Sequence, residues 1–212
     1  MKNKLKASET EESPQSDINF LVSGVDIDNR IIEIRSMIDE NVASVVIRAL
    51  MVMATRSSKE PINILLSSGG GSVYDGLAIY DYLFNCPCPI HIQASGLVAS
   101  TAFIIYLAGD VRTATPNTTF MMHSLSYEMP NRTIVKHHEI EVVEGKRVNA
   151  VLQDIMGTRT NRNKKYWYRT VALVDKYFTV QEAEILGILK QPIGKKNVKR
   201  KNIGSKLDKR TK

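Results

Sequence analysis

Apolar residues recur along this chain at two spacings, and the switch between them marks out its elements. After Asp39, residues Val42, Val45, Val46, Ala49, Leu50 and Met53 follow a helical repeat, and Asp39 is placed to cap the first turn. That stripe reads as core rather than as a cofactor site. Ile62-Asn63-Ile64-Leu65-Leu66 predicts a buried strand running into Ser68-Gly69-Gly70-Gly71-Ser72-Val73, with a helix over Val73 to Phe84 behind it. Ile90 to Ala94 predicts a second strand, and Ser100 to Ala108 a second apolar helix. Thr119-Phe120-Met121-Met122, entered through Pro116-Asn117, is strand-like. Ile134 to Met156 predicts a long, partly amphipathic helix interrupted at Gly145. Thr179-Val180-Gln181-Glu182 is a capping box for a last helix, which Gly187 stops. Alternating strands and helices place the chain in the α/β class.

At 212 residues with 43% apolar content, the chain is long enough for one sizeable core. No apolar run approaches the ~20 residues of a membrane span. The first six residues are basic and 7–17 are polar and acidic, without the apolar stretch of a signal peptide, so the expected location is the cytoplasm. Cys86 and Cys88 flank Pro87, too close for an easy disulfide; they read as structural, because no second Cys/His pair completes a metal set.

The candidate chemistry begins at Ser100, in the small-residue turn Gly96-Leu97-Val98-Ala99-Ser100-Thr101-Ala102, downstream of the glycine loop. A serine entering an apolar helix, paired with a glycine loop, reads as a nucleophile with a backbone that binds an oxyanion. A helix starting at the nucleophile also brings its positive dipole end near that charge. Serine needs a base. Of the 4 histidines, His91 lies in an apolar run and His137 and His138 in a polar helical stretch, whereas His123 emerges at the end of a strand. Asp175, on the loop before the capping box, fits the carboxylate that would fix the imidazole, although spacing alone does not select it. Asp75 and Asp81 do not share a helix face, which removes them as an acid–base pair. Gly69-Gly70-Gly71 lacks the Gly-Lys-Ser/Thr ending of a phosphate loop, so no ATP hydrolysis is expected from this chain.

Taken in order, Ser68 to Val73, Gly76-Leu77-Ala78-Ile79-Tyr80-Asp81, Gly96 to Ser100, Pro116-Asn117 with Met121-Met122-His123, and Asp175 with Glu182-Ala183 and Gly187 resemble the Clp protease proteolytic subunit family, ClpP, over about residues 18–193. The resemblance implies a ClpP/crotonase-like α/β fold, a repeated β-β-α superhelix with a projecting handle of strand and long helix at about 124–156. It implies a serine endopeptidase with Ser100 as nucleophile, His123 as general base and acid, Asp175 orienting the imidazole, and the backbone N–H groups of Gly71 and Thr101 as oxyanion hole. Substrates would be polypeptides. No intrinsic cofactor is implied; ATP would be used by a partner, a Clp-type AAA+ ATPase unfoldase. The assembly implied is a homo-oligomer of stacked, heptameric rings. Three departures stand out: Ser68-Gly69-Gly70-Gly71 replaces Ser-Pro-Gly-Gly, Thr101-Ala102-Phe103 replaces Met-Gly-Ala, and Ser124 to Pro130 lacks the usual glycine-rich pattern. The second would put a branched side chain and a ring near the site, altering preference beside the serine. The third would alter contacts between rings.

Two other readings remain: a crotonase-type acyl-CoA enzyme that uses a backbone oxyanion hole without a triad, and a catalytically weak scaffold subunit of a ClpP-like ring. Residues 1–17 are expected to form a mobile arm. Residues 194–212 carry nine Lys or Arg and one Asp, a net of +8 against +7 for the whole chain, and are expected to be a disordered tail that solubilises the chain or touches nucleic acid or acidic partner surfaces.

Overall fold

The computed structural model describes residues 20–126, 135–172 and 174–191. The expectations for residues 1–17, for a handle strand after Ser126 and for the tail from 194 lie outside them. A helical turn, α1, covers residues 20–23. The elements that follow are β1 (Val25–Asp26), β2 (Ile31–Ile34), α2 (Glu40–Arg56), β3 (Ile62–Ser68), α3 (Val73–Phe84), β4 (Ile90–Ala99), α4 (Thr101–Leu107), β5 (Val111–Ala114), β6 (Thr119–Met122), α5 (Val135–Arg159), α6 (Lys164–Val171), β7 (Lys176–Phe178) and α7 (Val180–Ile185).

Strands run in the order β1-β2-β3-β4-β6-β7, with β5 also on β4. The β2–β3, β3–β4, β4–β5 and β4–β6 pairs are parallel, so helices return the chain between them. β4 runs five residues past the predicted Ala94. Its first half pairs with β5 (His91↔Val111 to Ala94↔Ala114) and its last residues with β6 (Leu97↔Thr119 to Ala99↔Met121). A register shift between Leu66 and Ser68 on β3 accompanies the change of neighbour. This exchange of partners separates β6 from β5 and sets the end of β6 beside the end of β4.

Helix boundaries follow the local chemistry. Asp39 accepts from the Val42 N–H at 2.9 Å, and Ala43, Val46, Ala49, Leu50 and Met53 form the buried face of α2. Thr179 and Glu182 make the capping box of α7, and Gly187 follows its C-cap. α5 is continuous through Gly145. That glycine is buried in a helix that packs on α6 and α4, and this packing outweighs its weak helix propensity. All seven residues of α4 are buried. Phe103 meets Phe120, Trp167 and Phe178 at ring-centroid separations of 6.2, 6.0 and 6.4 Å. The ring expected near the site is therefore a core residue of the helix–sheet junction, and its position corrects that expectation.

Beneath α4, Arg112 is buried at 2% exposure and donates to the carbonyls of Leu107, Arg159 and Gly187 at 2.9, 2.8 and 3.0 Å. Desolvation, with the neighbouring Arg159 charge, draws its guanidinium down to about 10. It ties the end of α4 to the end of α5 and to the chain after α7.

Candidate active site

Ser100 is the hinge between β4 and α4. Its backbone, at φ 54° and ψ −122°, lies in a region that side chains other than glycine rarely adopt. Such a residue persists only where its surroundings over-determine it. Here its N–H donates to the Met121 carbonyl at 2.9 Å, its carbonyl accepts from the Phe103 N–H at 3.0 Å, and the helix behind it is entirely buried. The turn holds the side chain at the mouth of a cleft of about 70 Å³ lined by Gly71, Thr101, Met122, His123, Leu125 and Leu152, among others.

His123 follows β6 directly. Because β4 and β6 are parallel and in register to Ala99↔Met121, the residues just past their ends converge. His123 Nε2 and Ser100 Oγ lie 2.8 Å apart, a hydrogen bond in which the hydroxyl donates when the ring proton is on Nδ1. The chain after His123 is pinned on both sides. Ser124 Oγ donates to the Val171 carbonyl at 2.8 Å, and Asn149 Oδ1 accepts from the Leu125 N–H at 2.9 Å. Sequence reasoning did not find either anchor, since each joins segments far apart in the chain without a local pattern.

Asp175 precedes β7, which pairs antiparallel with β6 as Phe120↔Phe178, Met121↔Tyr177 and Met122↔Lys176. One step further along that ladder stand His123 and Asp175. The ladder thus brings the backbones together, but the Asp175 side chain is exposed and no hydrogen bond joins it to His123. The structure unites two of the three predicted side chains and leaves the third facing solvent.

The glycine loop lies against the serine turn. A Cβ on Gly70, at φ +96°, would stand 2.8 Å from Ala99 O and Ser100 Cβ and 2.9 Å from Thr101 N, and one on Gly71 would overlap the backbone of Ile38. Only glycine permits this approach. Ile38 bridges the loop from the other side, donating its N–H to Gly70 O at 2.9 Å and accepting from Ser72 N–H at 2.8 Å. By strand alternation, Gly71's own N–H and carbonyl face away from Ile38, towards the start of α4. The Gly71 N–H and the Thr101 N–H meet no acceptor among the described residues. Two free N–H donors flank a serine–histidine pair. Such a constellation can take a proton from the serine and bind an oxyanion. Among the described residues no group of three or more His, Cys, Asp or Glu is placed to hold a metal ion, and no helix is long and apolar enough to cross a membrane.

Residues 15–196 match the Clp protease family. The chain belongs to that family. A curated relative, the ATP-dependent Clp protease proteolytic subunit 1 of Salinibacter ruber, is 33% identical over 96 residues; the match covers 44% of this chain and 41% of the relative, so it spans less than half the relative's length. Among solved structures, a ClpP1 mutant from Listeria monocytogenes superposes with a TM-score of 0.70 at 27% identity, covering 77% of this chain and 90% of that one. The mixed sheet with its helices is the fold of the Clp protease family, as the sequence led us to expect. Within that family fold, the parallel β4–β6 pair carries both the serine and the histidine.

Proposed function

We propose that this chain is a serine endopeptidase, the proteolytic subunit of an ATP-dependent Clp-type protease. The observation that carries the reading is the 2.8 Å contact between Ser100 Oγ and His123 Nε2 at the ends of two paired strands. In the proposed reaction His123 takes the Ser100 proton as Oγ attacks a peptide carbonyl, and the Gly71 and Thr101 N–H groups receive the developing oxyanion. The same imidazole protonates the leaving amine, then activates the water that hydrolyses the acyl-enzyme. Asp175 orients His123 through Nδ1. The support for Asp175 is its place one step beyond Met122↔Lys176 on the β6–β7 ladder, beside His123 in the backbone.

The partners proposed with this reading are polypeptide substrates, a Clp-type AAA+ ATPase that spends ATP on unfolding, and further copies of the chain in stacked, heptameric rings. The cytoplasm is the proposed location. Nucleic-acid contact by residues 194–212 is a separate proposal, and deleting them should abolish it while sparing peptide cleavage.

The decisive experiment treats the full chain with a serine-directed fluorophosphonate and maps the modified peptide. Label on Ser100, lost in Ser100→Ala together with peptide hydrolysis, supports the reading; an unlabelled wild type with turnover unaffected by Ser100→Ala overturns it. The exposed Asp175 carboxylate favours one alternative, a catalytically weak scaffold subunit. That alternative requires labelling and peptide turnover to stay negligible even when the ring is assembled with its ATPase.

A further inference from the structure

The residue after the serine does more than lend its backbone. We propose that the Thr101 hydroxyl is a positioning group for the oxyanion hole, clamping the glycine loop onto the serine turn; the inference rests on the serine-peptidase reading above. Thr101 is buried, and its Oγ1 donates to the Gly71 carbonyl at 3.0 Å. Between residues 69–72 and residues 100–101 this is the one hydrogen bond among the described residues. It spans the two segments that supply the two proposed donors.

The loop needs such a clamp. Three successive glycines follow Ser68, with φ +96° at Gly70 and +152° at Gly71, and glycine gives up more conformational freedom on folding than any other residue. Ser68 Oγ anchors the loop's start, donating to Ser36 O at 2.6 Å and accepting from Gly70 N–H at 3.1 Å. Ile38 holds the face that points away from the serine. On the face that points towards it, the Gly71 N–H is left free as a donor, and the carbonyl of the same residue is held by Thr101. Releasing that carbonyl leaves the loop held from the Ile38 side alone, so the serine turn no longer fixes how closely the Gly71 N–H approaches the oxyanion.

The hydroxyl is aimed by its own methyl group. Thr101 Cγ2 occupies the space that a side chain at Gly76 of α3 would fill. Gly76 is buried, so the methyl is seated against α3 and the hydroxyl faces Gly71. The two branches of one threonine therefore do different jobs, and each can be removed separately.

The test compares wild type, Thr101→Val and Thr101→Ser with a short fluorogenic peptide and with a peptide boronate, which forms a tetrahedral adduct on serine. Valine keeps the methyl and the volume and loses the hydroxyl; serine keeps the hydroxyl and loses the methyl. Thr101→Val is expected to lower kcat about tenfold with KM nearly unchanged, less than the ~100-fold or more that loss of a whole oxyanion donor costs. Its affinity for the boronate should fall by the same factor. Thr101→Ser should stay within about threefold of wild type in both measurements. The opposite order, with valine near wild type and serine impaired, overturns the clamp and makes Thr101 a packing residue. Equal losses in both variants that track a lowered melting temperature overturn it as well. Fluorophosphonate labelling of wild-type Ser100 separates this failure from the other: labelled protein with an active Thr101→Val variant sinks the clamp alone, and unlabelled wild type sinks the peptidase reading and the clamp with it.

Discussion

Replacing Gly76 by alanine probes how tightly α3 and the start of α4 are fitted. Gly76 is buried within α3, and an added Cβ would overlap Thr101 Cγ2, with Thr101 Cβ next at 3.2 Å and Ile105 Cδ1 at 3.9 Å. Helix propensity alone favours alanine by about 1 kcal/mol. Overpacking a filled core costs about 1–3 kcal/mol, so Gly76→Ala should be destabilised by about 1 kcal/mol net. Thr101→Ser removes one buried methyl, a loss of about 1 kcal/mol. Were the two changes independent, the double variant would fall by about 2 kcal/mol. They compete for one volume, however: with Cγ2 gone, the new Cβ fills its place and keeps its helix gain. The double variant should therefore lie within about 0.5 kcal/mol of wild type, a favourable coupling of about 1.5–2 kcal/mol. Urea denaturation of the four proteins measures it. A coupling below about 0.5 kcal/mol refutes the proposed fit between these helices. The single Gly76→Ala variant should also lose turnover, because displacing the Thr101 side chain takes its hydroxyl off Gly71, and the double variant should recover it.

Other expectations follow from the same geometry. Ser100→Gly should abolish turnover yet raise stability by about 1 kcal/mol, the relief of about 1–3 kcal/mol of backbone strain being partly offset by the greater freedom of glycine in the unfolded chain. A melting temperature below wild type would contradict it. Arg112→Met removes three hydrogen bonds, leaving the part-buried Arg159 and Gly187 carbonyls without their side-chain donor while Leu107 O keeps Arg159 Nε, and should cost about 2–4 kcal/mol, lowering the melting temperature by roughly 5–15 °C; an unchanged melting temperature would deny Arg112 its structural role. The Glu144 carboxylate is drawn down to about 2, first by its hydrogen bonds with Arg147 and then by the Tyr74 hydroxyl. Its folded pKa lies below its unfolded one, so its contribution is complete above the unfolded value and is lost as pH falls towards about 2. Glu144→Gln should flatten that part of the acid limb, by a small amount because the side chains face solvent; an identical pH profile counts against the Tyr74–Glu144–Arg147 link. Short peptides should be cleaved without ATP, and a folded substrate only when a Clp-type ATPase is added; unaided digestion of folded protein would defeat the compartment reading.

Much of this was legible in the chain itself, where a pattern is completed within a few residues. The α3 helix was read to both ends because its apolar repeat and its flanking polar residues are local, and β6 from four residues bounded by a turn. Ser100 and His123 stood out because each sits where an apolar element begins or ends, and the resemblance to ClpP joined them. Other features had no local signature. β1, β5 and β7 are two to four residues long and exist only as partners for longer strands. The extension of β4 to Ala99 depends on β6 arriving where β5 leaves. Gly145 reads as a helix breaker, and packing overrode it. Thr101 and Phe103 looked alike as bulky neighbours of the serine, but the turn of the helix sends one side chain to the glycine loop and the other into the aromatic core. Periodicity acts through neighbours along the chain and so is written there, whereas ladder register and the facing of side chains arise when distant segments meet. The distance between Ser100 and His123, the free face of Gly71 and the solvent-facing carboxylate of Asp175 are all facts of that second kind.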